Sequence, residues 1–212
     1  MRVSLLLEVE PDRPAERAIA VAARTLLAGG LVVFPTETFY GIAADARSEA
    51  ACRRVFALKG RTEDKALPCI AADLEQVERF TKAFPERARR LAERFWPGPL
   101  SLVLDAAPSV AAAAADGTIA VRVSGLALAR QIASAIGGLT TATSANRSGD
   151  PPAATWNEVD RSFGDAAGVD LVLDGGPCRG GQPSTVVDVR SATPKFLRVG
   201  SVSVEMVLQA LS

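Results

Sequence analysis

The sequence predicts an α/β fold, and three features carry that reading. Short apolar runs alternate with longer amphipathic stretches along the 212 residues, Gly29-Gly30 and Gly137-Gly138 end two of those stretches in the same way, and three apolar runs crowd together after residue 165. Alternation of this kind builds a sheet with helices packed on it, and the late cluster calls for a twisted, open, mixed sheet instead of a purely parallel one. No linker, internal repeat or low-complexity tract interrupts the chain, so residues 1–212 read as one domain.

The elements follow in order. Val3 to Val9 reads as a strand, and Pro14 to Ala28 as a helix with proline in its first turn and Gly29-Gly30 as its stop. Leu31 to Phe34 is a buried strand ended by Pro35. Glu49 to Lys59 is a helix with Ser48 as its N-cap, Leu67 to Ala71 a strand, and Asp73 the cap of a short helix. Pro85 to Phe95 is a third long helix, Leu100 to Leu104 and Thr118 to Val123 are strands, and Leu126 to Ile136 is a helix. Leu139 to Thr143 is a further strand-like run. Thr155-Trp156-Asn157-Glu158 is a capping box that opens another helix. Strands at Leu171 to Leu173, Ser184 to Val189 and Phe196 to Val199 precede a closing helix from Ser203 to Leu211.

Composition narrows the chemistry. The chain has no histidine, which excludes Ser-His-Asp and Cys-His nucleophiles, histidine metal ligation and imidazole acid–base catalysis. What remains is chemistry by positioning and charge neutralisation, as in phosphoryl or nucleotidyl transfer. With 24 cations against 24 anions, a generic electrostatic grip on nucleic acid is not implied, although a local basic cleft is compatible with it. Cys52, Cys69 and Cys178 lack metal-knuckle spacing and read as buried small apolar residues. No apolar run approaches the ~20 residues of a membrane span, and Glu8 comes too early for a signal peptide, so the cytoplasm is the expected compartment.

Two polar clusters stand out. Ser144-Ala145-Asn146-Arg147-Ser148-Gly149 offers hydroxyls and an amide after a strand-like run, and Lys59-Gly60-Arg61 puts two cations at a helix end, with Lys65 close behind. If they meet in space they form a nucleotide site; taken alone, cations at a helix C-terminus merely complement its dipole. Pro35 to Gly41, with Thr36, Thr38 and Tyr40, follows a buried strand, a favoured place for a small polar ligand, though the same residues fit an ordinary turn. Thr118 and Arg122 share one face of a strand, and the arginine needs either a substrate anion or an internal Asp or Glu. The glycine-rich run 175–181 fits no phosphate fingerprint and reads as a flexible connection.

Seven ordered motifs together resemble the short YrdC-like threonylcarbamoyl-AMP synthase family. They are Pro35-Thr36-Glu37-Thr38 with Tyr40-Gly41, Lys59-x-Arg61, Phe95 to Leu100, Gly117-Thr118 through Arg122, Ser144-Ala145-Asn146 with Ser148-Gly149, Pro183 to Asp188, and Arg198-x-Gly200. The resemblance implies a YrdC-like α/β twist around a large basic cavity. It also implies synthesis of threonylcarbamoyl-AMP and pyrophosphate from L-threonine, bicarbonate and ATP, with Mg2+ carried on the ATP. A separate transferase complex would then modify tRNA.

On that resemblance Lys59 and Arg61 act on the phosphates and face ligand instead of core, and Lys65, Thr118, Ser144, Asn146 and Arg198 are further ATP contacts. Thr36, Thr38, Tyr40, Arg122 and Ser184 are the threonine contacts, with Arg122 on the carboxylate. Thr62 stands where the family commonly has proline, and Pro68, Cys69 and Ile70 stand where some members carry a histidine. Related folds leave two rival readings: a double-stranded RNA-binding or ribosome-assembly module without catalysis, and a carbamoyl-transfer protein.

Overall fold

The computed structural model describes residues 5–62, 66–164 and 168–212. In chain order they form β1 (Leu5–Glu8), α1 (Glu16–Leu27), β2 (Val32–Pro35), β3 (Tyr40–Ala43), α2 (Glu49–Lys59), β4 (Cys69–Ala71), α3 (Leu74–Arg79) and α4 (Glu86–Phe95). There follow β5 (Leu100–Asp105), β6 (Thr118–Val123), α5 (Ala127–Ile136), β7 (Thr140–Thr141), β8 (Thr143–Ser144) and α6 (Trp156–Phe163). The chain closes with β9 (Leu171–Asp174), β10 (Thr185–Asp188), β11 (Lys195–Arg198) and α7 (Val204–Leu211).

Three caps are those the sequence implies, at Ser48, Asp73 and Thr155. Helix α7 is capped by Ser203, and α1 opens at Glu16 with Ala15 as its N-cap, so Pro14 lies ahead of the first turn and not within it. Ser48, Asp73 and Ser203 each accept a backbone N–H at the start of α2, α3 and α7, and Thr155 with Glu158 closes a reciprocal capping box on α6. Residues 3 and 4 of the expected first strand lie outside the described residues.

The strands divide between two mixed sheets, ordered β1-β9-β2-β3-β8 and β11-β10-β5-β6-β4-β7, where the sequence suggests one. The division falls inside the run Leu139 to Thr143. Thr140 and Thr141 pair antiparallel with β4 in one sheet, while Thr143 and Ser144 pair antiparallel with β3 in the other. Ala142, the residue between, donates its N–H to the Pro68 carbonyl at 2.7 Å. Two strands of two residues each have no periodicity of their own, so they read as one strand until the pairing partners are known. Thr141, fully buried, ties the seam: its hydroxyl accepts the Ala44 N–H at 2.8 Å and donates to the Ile42 carbonyl at 3.1 Å.

Both faces of the first sheet are covered, which accounts for its nearly continuous apolar strands. Val32 and Phe34 of β2 and Leu171 and Leu173 of β9 pack with Ala22 and Leu26 of α1 and Leu128 and Ile132 of α5. The alternate residues Val33 and Val172 turn into the larger core with Val55, Phe56, Leu100, Leu102 and Val121. The loop Thr36 to Phe39 is therefore the tip of the β2–β3 hairpin, held between two packed layers.

Replacing Thr141 by valine keeps the shape but strands the buried Ala44 N–H. The expected cost is about 1–3 kcal/mol in a urea or thermal unfolding experiment; an unchanged midpoint would show that the seam does not depend on this hydroxyl.

Candidate active site

The site starts with a helix that buries a cation. Ala51, Cys52, Val55, Phe56 and Lys59 form the buried face of α2, so the lysine continues an apolar stripe at helical spacing. Gly60 then ends the helix in the left-handed conformation, φ 61°, a cap that favours glycine. Lys59 is 5% exposed, and its Nζ donates to the Ser144 carbonyl at 2.5 Å and the Asn146 carbonyl at 2.7 Å. The Ser148 N–H returns to the Lys59 carbonyl at 2.9 Å. The two polar clusters, some 85 residues apart, thus touch. Lys59 is not simply turned toward ligand, as the sequence suggests: burial makes it a structural tie as well, because an ammonium at that depth needs acceptors. Burial, and then the nearby Arg61 charge, push its pKa down to about 8.

Lys59, Ser144 and Asn146 open onto a cavity of about 440 Å³, within the range of small-molecule sites. Arg61, Arg122 and Arg198 line it too, as do Thr36, Thr38, Tyr40 and Ser184. Of the described residues singled out from sequence, one, Thr118, does not line it. Lys65 lies outside the described residues. Thr118 shares a strand face with Arg122, but four residues of strand separate them by about 13 Å. Its hydroxyl donates instead to Asp116 Oδ1 at 2.7 Å, and it does not line the cavity.

Several hydroxyls shape the walls. Thr36 Oγ1 donates to the Phe39 carbonyl at 2.7 Å and lies 3.2 Å from Thr38 Oγ1, which folds the hairpin tip. The Tyr40 hydroxyl bonds Asp174 at 2.9 Å and the Gly176 carbonyl at 2.8 Å and accepts the Gly175 N–H at 3.1 Å. Tyr40 is fully buried, so its role is to anchor the hairpin to the end of β9. The glycine-rich run is correspondingly well tied, with Gly180 N–H on the Thr38 carbonyl and Cys178 N–H on the Ala154 carbonyl. At Gly175 the rings of Pro11 and Pro35 occupy the space a Cβ would need.

Among the described residues, four cations and one carboxylate line the cavity. Arg122 pairs with Glu37, so the internal carboxylate that the sequence offered as one alternative is present, and Arg122 lines the cavity as well. Arg198 donates to the Ser184 carbonyl and hydroxyl, both at 2.9 Å, and burial followed by the Arg122 charge lowers its pKa. Arg61 stacks 6.0 Å from the Phe56 ring centroid. Among the described residues, Lys59, Arg61 and Arg198 have no carboxylate partner, and Asp150 is the carboxylate lining the cavity.

Asn146 donates to the Arg147 and Asp150 carbonyls at 2.9 and 2.7 Å, while its buried Oδ1 has no partner, an acceptor that suits a ligand donor. Cys69 also lines the cavity, but burial, then the neighbouring Cys52, push its thiol far above its ordinary range, so it is no thiolate nucleophile. Ser101, missed in the sequence, lies in the leucine-rich strand β5, nearly buried, 3.5 Å from Ser184 Oγ; a lone hydroxyl among inward apolar residues was the available signal.

The arrangement can bind a polyanion at the Lys59 side and a carboxylate near Arg122 and Arg198. The Sua5_yciO_yrdC family model, described as telomere recombination, matches residues 24–200. A threonylcarbamoyl-AMP synthase of Pyrococcus abyssi is 39% identical over 197 residues, covering 92% of this chain and 57% of that protein. A putative threonylcarbamoyl-AMP synthase of Mycobacterium leprae is 38% identical over 204 residues, covering 95% of this chain and 91% of that protein. The crystal structure of P. abyssi Sua5 complexed with L-threonine superposes with a TM-score of 0.90 at 36% identity, over 98% of this chain and 61% of that one.

Two outcomes follow from Lys59. Its native pKa lies below the unfolded one, so below pH 8 both states are charged and the full burial penalty applies. Between about pH 8 and 10.5 the unfolded chain holds more protons, and this residue's penalty is relieved as pH rises. A bound anion reverses the shift. Sulfate, which does not titrate in this range, should therefore bind with proton uptake at pH 8 and little uptake at pH 6. Calorimetry in buffers of different ionisation enthalpy reads this, and equal uptake by Lys59→Met would remove the assignment.

Proposed function

Because the chain belongs to the Sua5/YciO/YrdC family, we propose that it is an L-threonylcarbamoyladenylate synthase, a nucleotidyltransferase acting on MgATP, L-threonine and bicarbonate. The observation that carries the proposal is one cavity holding both a polyanion end, at Lys59, Arg61, Ser144 and Asn146, and a carboxylate end, at Arg122, Arg198 and Ser184.

The reaction runs in two steps. The neutral amine of threonine adds to the carbon of bicarbonate and water leaves, giving the carbamate. A carbamate oxygen then attacks the α-phosphorus of ATP, and the bond to the bridging oxygen breaks with pyrophosphate as the leaving group. No covalent enzyme intermediate is required, in keeping with a chain that lacks histidine and keeps its cavity thiol protonated. Lys59 and Arg61 offset charge as it moves onto pyrophosphate, and a fixed donor costs no reorganisation at that moment. Lys59 arrives already ordered by its two carbonyls. The Asn146 Oδ1 acceptor meets a nucleotide donor, and Arg122 with Arg198 holds the amino-acid carboxylate. Magnesium enters on the triphosphate, whose oxygens suit it. The product is a mixed anhydride, and a separate transferase would pass its threonylcarbamoyl group to tRNA. No helix among the described residues is long and apolar enough to cross a membrane.

The test is pyrophosphate release from ATP that requires both L-threonine and bicarbonate. Arg61→Ala should lower kcat/KM by about 10²–10³, the scale for loss of one charge-stabilising donor. Its thermal midpoint should stay near that of the parent, because Arg61 is only partly buried. Release that ignores threonine, or no release beside tight, steeply salt-dependent binding of duplex RNA, would overturn the reading.

A further inference from the structure

We infer that Glu37 is a positioning residue: it aims the Arg122 guanidinium at the substrate carboxylate and sets the charge of that end of the cavity to one positive unit. The inference rests on the threonine-activating reading above and goes beyond it by naming a residue that the substrate does not touch.

Glu37 stands behind Arg122. Arg122 lines the cavity described above, whereas Glu37 lines a second cavity of about 610 Å³. Thr36 and Thr38 line both, so the hairpin tip is the partition between them. The carboxylate is fully occupied on its own side. Oε1 accepts from Arg122 Nη1 and from the Gly125 N–H at 3.3 Å, and Oε2 accepts from the Ser124 hydroxyl at 2.6 Å. All three donors come from β6 or the turn directly after it, so one side chain pins the hairpin tip to the end of that strand. Burial by itself would raise the Glu37 carboxyl, but the Arg122 charge and these bonds outweigh it and hold the group below its ordinary range.

The consequence is a fixed cation with a fixed charge balance. Arg122 is 6% exposed, and Arg198, close enough for the Arg122 charge to depress its pKa, has no carboxylate partner among the described residues. Two guanidiniums and one carboxylate leave a single positive charge, which one substrate carboxylate neutralises. Without Glu37, the buried Arg122 would carry an uncompensated charge beside Arg198 and would lose the carboxylate that fixes its orientation.

The experiment measures steady-state pyrophosphate release and, independently of turnover, calorimetric L-threonine binding. Glu37→Gln should raise the KM and Kd for L-threonine at least tenfold while the KM for ATP stays within twofold. Glu37→Asp, which keeps the charge on a shorter arm, should recover part of that loss. Ser124→Ala, which removes one support of the carboxylate, should raise the threonine KM by a smaller factor, and it keeps the test open if the Gln variant fails to fold. In an Arg122→Ala background, Glu37→Gln should add less than twofold, because its route through Arg122 is gone. Equal losses for both substrates, or a full additional loss in the Arg122→Ala background, would make Glu37 a fold residue and overturn the inference. A chain that binds L-threonine with this dependence on Glu37 but releases no pyrophosphate would refute the synthase reading and leave the positioning role standing. A parent chain that does not bind L-threonine overturns both.

Discussion

The site depends on one ammonium group sunk into the end of a helix. Lys59 Nζ gathers the Ser144 and Asn146 carbonyls, and its own carbonyl holds the Ser148 N–H. These contacts fix the turn after β8 against the end of α2, and with it the height of the cavity wall. A buried cation is costly unless acceptors surround it, so the turn cannot drift without exposing that cost. The same group lines the space where a phosphate would sit. Structure and chemistry therefore share a single charge, and the lowered pKa of Lys59 records the compromise: the free site holds its proton loosely, and an anion would tighten it.

The second constraint is the seam between the sheets. Thr141 joins β7 to the residues just after and within β3, and Tyr40 joins the start of β3 to the end of β9. Between those two ties the hairpin tip has few ways to move. Its backbone sets Thr36 and Thr38 on the wall shared by the two cavities and Glu37 in the second of them. Rigid sheets that present short polar tips are a common means of holding ligands, since packing sets the position and the loop supplies the chemistry.

Charge placement completes the arrangement. The chain as a whole is neutral, yet Lys59, Arg61, Arg122 and Arg198 converge on one cavity that Asp150 alone among described carboxylates lines. Much of the compensating acid works elsewhere in structural pairs, such as Asp170 with Arg54, Asp45 with Arg47 and Asp188 with Arg190. A neutral composition is thus compatible with an uneven placement of charge among the described residues.

Much of this was legible in the sequence because it is written in local chemistry. Helices announce themselves by caps such as Ser48, Asp73 and Thr155, and buried strands by apolar runs such as Leu171 to Leu173. The absent histidine removed whole classes of mechanism, and the ordered motifs marked the residues that line the cavity. What tertiary structure alone decided is which groups face each other. The run 139–144 divides between two sheets only because β3 and β4 offer it separate partners. Tyr40 became an anchor because Asp174, 134 residues away, lies opposite it, and Arg122 found Glu37 across 85 residues. Thr118 has the right strand face but sits too far along the strand. Local propensity acts over one or two turns of chain, whereas the partner of a buried polar group is set by packing, and no local pattern encodes that distance.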